Sequence, residues 1–417
     1  MSIALTDPRS EMDTGLAVQM PSESESGGLR IGTSGASAPR NGLLAGPLPQ
    51  PFAPAGSGCS WQVDVKNASQ LTAAEWASWR EWHRDNPLLH SPYFHPEFTV
   101  AVAAERADVR IAVIQRAGQL CGLLPYQTTR FGIGQPIAGR LSDAHGLICA
   151  AESEIPIAEV ISACGLKAFD FDQLVRSQPS FQPWTHAVEP SWMIDLSAGY
   201  AGFKALKRAA KSDLCEDFPR KFRKIEKELG PVEFEWHTQQ ADVFDRLVEW
   251  KRSQYLATGM TDVLAVPWTV RLLDRLRQVR FAGLEGVLST LRINGQLTAV
   301  HLGMRSRERM HSWFPAYDPA VGRYSPGLAL VGLMLQRAAD LGIQRIDLGT
   351  GSEPYKQRLA TGSELVARGS VEVEPCLRMA RQGWRTTKRL IRATPLQRAA
   401  DVPVAWLRRM REWIELR

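Results

Sequence analysis

The chain has 417 residues, of which 44% are hydrophobic, 23% charged and 8% aromatic, a composition that fits a water-soluble globular protein of two or three domains. It lacks any apolar run near the roughly 20 residues that span a bilayer, and its start, MSIALTDPRSEMD, has neither the charged nor the apolar segment of an export signal, so a cytoplasmic protein is expected. The net charge of +6 is local: residues 377–417 hold ten Arg and one Lys against one Asp and two Glu, which leaves the body near neutral and argues against a whole-surface nucleic-acid binder.

Residues 1–58 are rich in Gly, Pro and Ser, show no period of 2 or 3.6, and read as a disordered leader. Order is expected from WQVDV at Trp61, an alternating strand. A helix over 73–86 follows, with Thr72 and Glu75 as a capping box and Pro87 as its stop. A second helix lies near 95–106. Two strand-like runs in 109–129 turn at Ala117-Gly118. A strand-like run at 145–150, a helix near 155–165 and a strand at 168–175 complete the first half.

The second half repeats that order. A strand at 232–238 precedes a helix over 241–258 closed by Gly259, and then a helix with Pro267 in its first turn. Two strands in 287–306 flank Asn294-Gly295, a strong hairpin signal. A third strand at 308–318, a helix at 328–342 and a strand at 343–349 follow. Between the halves, 200–230 is basic, with Lys221, Lys224 and Lys227 three residues apart and Phe222, Ile225 and Leu229 as an apolar stripe. It is either a solvated bridging helix or an anion-facing helix lining a cleft.

Six cysteines (Cys59, Cys121, Cys149, Cys164, Cys215 and Cys376) show no C-x-x-C spacing. A zinc ribbon and a disulfide framework are both disfavoured, and buried reduced thiols are expected. There is no G-x-S-x-G elbow, H-E-x-x-H or calcium-loop pattern, so no metal is expected.

Three clusters suit chemistry. Along the strand 297–305, alternation puts His301 between Ala299 and Gly303, which predicts open space around an imidazole that titrates near neutrality; the plain alternative is a core histidine. In the loop from Arg323 to Ala329, Ser325 suits a helix N-cap, Pro326 the first turn and Gly327 a close ligand, an arrangement that favours an anion. At 346–356, a strand ending in Asp347 runs into Gly349, Thr350 and Gly351 and then Tyr355-Lys356, a usual place for substrate contact. It lacks the third glycine of a dinucleotide site and is not a P-loop. The tail mixes Arg with Trp384, Trp406 and Trp413, as surface helices or as an anionic-membrane face.

Residues 200–370 resemble the CelD/BcsL acetyltransferases of the GNAT superfamily, relatives of the Fem peptidyltransferases. The likeness is carried by KFRKIEKELG, LVEWKRSQYLATG, NGQLTAVHLGMRS, HSWFPAYDPAVGRYSPG and GIQRIDLGTGSEPYKQRLA. It implies an α/β fold of two tandem GNAT-like domains, at 59–200 and 231–375, joined by a basic linking region at 201–230 and followed by a helical tail at 376–417. It further implies acyl transfer, with acetyl-CoA or another acyl-CoA as cosubstrate, to a hydroxyl or amine of a small-molecule or saccharide acceptor, in exopolysaccharide or cell-envelope synthesis. On this likeness His301 is the general base, Asp347 orients base or substrate, and Tyr355 protonates the leaving thiolate. Lys356, Gly349 and Gly351 contact substrate, and Arg323, Ser325 and Gly327 hold the cofactor pyrophosphate. The loop departs from the superfamily pattern by one extra residue before Gly327 and by Pro326, which removes an amide donor. The alternatives are a Fem-like transferase using aminoacyl-tRNA and a non-catalytic scaffold subunit held by its basic tail.

Overall fold

A computed structural model describes residues 60–151, 153–175, 178–281 and 283–392. The leader at 1–58, Cys59 and the tail beyond Arg392 lie outside the described residues. The first half runs β1 (Trp61–Lys66), α1 (Ala73–Asp85), α2 (Pro96–Glu105), β2 (Val109–Arg116), β3 (Gln119–Thr128), β4 (Ile133–Gln135), β5 (Ile148–Cys149), α3 (Ile157–Ala163), β6 (Ala168–Val175) and β7 (Thr185–Asp195). The second runs α4 (Gly199–Ala209), α5 (Leu214–Leu229), β8 (Val232–Glu235), α6 (Ala241–Thr258), α7 (Pro267–Gln278), β9 (Arg280–Phe281), β10 (Leu284–Ile293), β11 (Gln296–Ser306), β12 (Arg309–Tyr317), α8 (Pro326–Asp340), β13 (Arg345–Gly349), α9 (Pro354–Leu359), β14 (Gly362–Glu372) and α10 (Pro375–Arg392).

Local chemistry sets these limits. The Thr72 hydroxyl accepts from the Glu75 amide and the Glu75 carboxylate accepts from the Thr72 amide, so the capping box starts α1 as expected. Ala117-Gly118 and Asn294-Gly295 both have positive φ, at 53° and 74°, and 50° and 74°, which is what a tight hairpin needs. Gly259 closes α6 with φ 64°. The fold is thus a mixed α/β one, and the expected order of strands and helices occurs twice.

The strands form one continuous sheet in the order β1-β2-β3-β4-β6-β14-β7-β13-β12-β11-β10-β8, with β5 on β3 and β9 on β10. The halves interlock. β14, the last strand of the second half, lies between β6 and β7 of the first. β7 in turn pairs with β13 of the second half. Gly369 makes the insertion possible, because a Cβ there would overlap the Trp184 carbonyl oxygen and stand 2.5 Å from Phe171 Cζ.

Strands β10 and β11 of the second half are buried on both faces. Val300, Leu302 and Met304 of β11 pack with Phe244, Leu247, Leu272 and Leu276 on the α6–α7 face. Ala299, Met310, Ile346 and Leu348 pack with Phe218, Leu330 and Met334 on the α5–α8 face. The alternation expected along β11 is therefore realised. In the basic segment, Ile225 is buried, whereas Phe222 and Leu229 are only half-buried. Of the five described cysteines, all free, Cys215 is buried, Cys376 is exposed and the others are intermediate, so burial of every thiol is corrected. α10 docks on the sheet through Arg381–Asp170 at 2.5 Å and Arg385–Glu372 at 2.9 Å.

Candidate active site

β12 and β13 run parallel for three register pairs, Arg309 with Arg345, Met310 with Ile346 and His311 with Asp347, and then part. β12 continues to Tyr317 against β11 alone. The wedge opens where β12 carries a bulge. Leu302 faces Phe314 and Gly303 faces Ser312, so Trp313 has no partner across the strand pair. Gly303 is required there, since a Cβ would stand 2.6 Å from the His311 carbonyl oxygen. The bulge also flips the alternation: Met310 faces α8, whereas Phe314 and Ala316 face α6 and α7.

His301 does not stand in open space. It is 1% exposed, and its Nε2 lies 2.8 Å from Ser312 Oγ. The small neighbours Ala299 and Gly303 let the β12 backbone and Ser312 close over the ring instead of leaving a void. Burial, with the neighbouring His311 ring, lowers its pKa to about 3, well below the near-neutral value expected. Asp347 does not contact it. Arg345 Nε donates to Asp347 Oδ1 at 2.5 Å, and Arg345 also pairs with Glu364.

Asp347 and Gly349 line a cavity of about 50 Å³ between the wedge's apex and the first half, together with Tyr93, Asp143, Arg309 and His311. That volume admits a few waters or a small polar group. His311 is 2% exposed and its Nε2 lies 3.0 Å from Asp143 Oδ2, off the line of a well-directed hydrogen bond. Tyr93 meets the His311 ring edge-on at 4.9 Å, and Trp313 lies 6.2 Å away. The Tyr93 hydroxyl is buried without a partner among the described residues. Burial and the Asp143 carboxylate hold that phenol well above its usual pKa. Burial works against the charge on Asp143, yet the adjacent His311 keeps its carboxyl below the usual range. Gly349 permits this approach: its φ is 74°, and a Cβ would stand 2.9 Å from Asp143 Oδ2.

Beyond β13, Lys356 Nζ donates to the Thr350 carbonyl at 2.6 Å and lies 3.4 Å from Glu353. Gly351 has φ 124° in that turn. Tyr355 is 45% exposed, and partial burial with the Glu353 charge raises its phenol pKa. Across the wedge, Lys251 Nζ donates to the Pro315 carbonyl at 3.3 Å, and burial with the Lys356 charge lowers its pKa to about 8.

At the other end of the wedge, Ser325 occupies the N-cap position of α8 but does not cap it. Its φ is 55°, and its hydroxyl accepts from Lys221 Nζ at 3.1 Å. The Ser325 carbonyl takes the amides of Leu328 and Ala329, so the first turn offers fewer free donors than expected. Arg323 lies over the Tyr324 ring at 4.8 Å and Lys224 at 5.5 Å. The structure thus brings Lys221 to Ser325 and brings Lys224 and Arg323 to the Tyr324 ring, and it groups Asp347 and Gly349 with His311, Asp143 and Tyr93. Sequence reasoning missed His311, Asp143 and Tyr93. The bulge that turns His311 toward the first half leaves no mark in HSWFPAYD, and its partners come from a distant loop. Among the described residues no cluster suits a metal ion, and no helix is long and apolar enough to cross a membrane.

Residues 214–357 match the family model described as an acetyltransferase (GNAT) domain. No curated protein matches the chain. Among solved structures, FemX shares 10% identity over 76% of this chain and 99% of its own, with a TM-score of 0.50. A tandem GNAT protein from the clavulanic acid biosynthesis pathway shares 10% over 76% and 99%, at 0.43. L-PGS from Bacillus licheniformis shares 9% over 76% and 97%, also at 0.43. At these identities the likeness to FemX shows a shared fold.

Proposed function

We propose that the protein is an acyltransferase that moves an acyl group from acyl-CoA to a hydroxyl or amine of an acceptor held on the cavity side of the wedge. The observation that carries this reading is the parting of β12 and β13 after three pairs, with the Trp313 bulge at the point of parting. Bound there, the donor supplies an activated thioester. Lys221, Lys224, Arg323, Ser325 and the Gly327 amide would hold its phosphates, where clustered cations offset the amide that Pro326 lacks.

The roles on this reading differ from those expected of the sequence alone. His311, beside Asp143, takes the proton of the attacking hydroxyl or amine, and the Asp143 carboxylate stabilises the imidazolium that forms. A C–O or C–N bond forms as the C–S bond breaks. The negative charge growing on the acyl oxygen is met by backbone N–H at the bulge, where one donor is worth roughly 2.7–4 kcal/mol. Tyr355, whose raised pKa keeps it protonated, gives its proton to the departing thiolate. His301 acts through Ser312 on the shape of the bulge, with a pKa too low for an efficient base. Asp347 positions the acceptor, and Lys356 with the Gly349–Gly351 turn borders it.

The finer reading is acetyl transfer from acetyl-CoA to a saccharide in exopolysaccharide or envelope synthesis, in the cytoplasm, with the basic tail touching the membrane or its synthetic machinery. It is supported by the resemblance over 200–370. A thermal-shift series with acetyl-CoA, longer acyl-CoAs and free CoA tests the donor: at 100 times its dissociation constant a ligand adds about 2.7 kcal/mol of stability. Indifference to all of them would sink the reading. The exposed row Arg223, Lys224 and Lys227 on α5 favours aminoacyl-tRNA as the second reading. Labelled acyl-CoA and labelled aminoacyl-tRNA, offered in turn, separate the two.

A further inference from the structure

Arg309 opens β12 directly opposite Arg345, which opens β13, so two guanidinium groups stand side by side at the cavity. Arg345 is neutralised by Asp347 and Glu364. Asp143, the remaining acid of the cavity lining, faces His311. Arg309 is half-buried, yet its side chain forms no hydrogen bond or ion pair among the described residues. Asp347, Glu364 and Glu308 act on it electrostatically but none contacts it, and a guanidinium leaving water needs directed acceptors as well as charge nearby. A second residue lines the same cavity: Tyr93, 4% exposed, whose hydroxyl lies by the Asp143 backbone but makes no well-directed hydrogen bond among the described residues.

From this we infer that the cavity is a subsite for an anionic oxygen group of the acceptor, a carboxylate or a phosphate, seated on Arg309 with the Tyr93 hydroxyl as a second donor. The planar fork of a guanidinium matches such groups with two parallel hydrogen bonds. The cavity of about 50 Å³ has room for the charged group alone, with the rest of the acceptor running out past the exposed Leu365. Burial and the Arg345 charge push the Arg309 pKa down, against the pull of Asp347, Glu364 and Glu308. The inference gives the acceptor of the proposed reaction its chemical class. It rests on that reading for its meaning and not for its test.

The test uses the whole protein without any acyl donor. Sodium acetate and inorganic phosphate are titrated by calorimetry at constant ionic strength set with chloride, into wild type, Arg309→Gln, Arg309→Lys and Lys221→Ala/Arg323→Ala. The expected result is saturable one-to-one binding of at least one anion, weakened about tenfold or more by Arg309→Gln. Arg309→Lys should retain part of it, and the variant at the α8 start should leave acetate binding unchanged and remove only phosphate bound outside the cavity. Acetate alone in this pattern assigns a carboxylate acceptor, and phosphate alone a phosphorylated one. Arg309→Gln should keep the wild-type circular dichroism spectrum and a cooperative melt in chloride, which separates lost binding from lost folding. Identical titrations in wild type and Arg309→Gln for both anions would overturn the subsite and leave the donor reading standing.

Discussion

His311 Nε2 stands 3.0 Å from Asp143 Oδ2, so a strand of the second half and a loop of the first meet at one acid–imidazole pair. The pair lies where β12 and β13 part. A base used on the acceptor must face the cavity and not the α8 side, and His311 does so while His301 does not.

Replacing either member should therefore cost rate and little else. His311→Gln is expected to lower turnover about 100- to 10,000-fold, and Asp143→Asn to do the same or somewhat less. Affinity for the acyl donor should be unchanged by calorimetry. Asp143 has a depressed pKa, so its charge is present above the usual carboxylate range and is lost only as pH falls well below neutrality. Wild-type turnover in a well-folded His311→Gln would assign the base elsewhere.

The cations at the start of α8 should act on binding alone. Lys221→Ala, Lys224→Ala and Arg323→Ala are each expected to weaken acetyl-CoA several-fold, and the triple variant roughly 100-fold, with the salt dependence reduced in step. Acetyl-pantetheine, which lacks the pyrophosphate, should bind wild type and triple variant alike. Equal loss for both ligands would mean that these residues support the fold and not the phosphates.

Much of this fold was legible in the residues. The capping box at Thr72 and Glu75, the turn at Asn294-Gly295 and the apolar period of α8 each announce one element through local chemistry. The strands that escaped notice include β7 and β14, where the halves join. β7 contains Pro190 and β14 contains Gly362, Arg368 and Gly369, so neither shows clean alternation. Their strand character comes from neighbours distant in the chain, which a local pattern does not encode. The site divides the same way. Arg323, Ser325, Gly327, Asp347 and Gly349 sit at recognisable turns, whereas His311, Asp143 and Tyr93 become a site only through the bulge at Trp313 and the packing of one half on the other.

The interlocked strands make the halves one cooperative unit. Gly369→Ala forces a Cβ against the Trp184 carbonyl and the Phe171 ring, both held by the sheet, and should cost about 1–3 kcal/mol. Urea unfolding followed by tryptophan fluorescence and by far-ultraviolet circular dichroism should give a single shared transition, moved to lower urea in the variant. Two separated transitions in wild type would mean that β14 does not couple the halves.

The buried histidines fix the acid limit of the fold. Burial lowers the pKa of His83, His145 and His301 to about 3 each, from an ordinary value near 6.5. Below pH 6.5 the unfolded chain gains protons that the folded one refuses, so stability should be level above neutrality and should fall as pH drops from 6.5 toward 3. At pH 5 each histidine accounts for roughly 2 kcal/mol of lost stability. The slope of unfolding free energy against pH counts the protons directly, at about 1.4 kcal/mol per pH unit for each. His83 packs edge-on to His95 at 5.0 Å and lies 3.3 Å from Ser306 Oγ, away from the candidate site. His83→Gln should therefore remove about one proton from the slope between pH 6 and 4 without altering turnover at pH 7.5. A slope that stays the same in His83→Gln would show that this ring is charged in the folded protein.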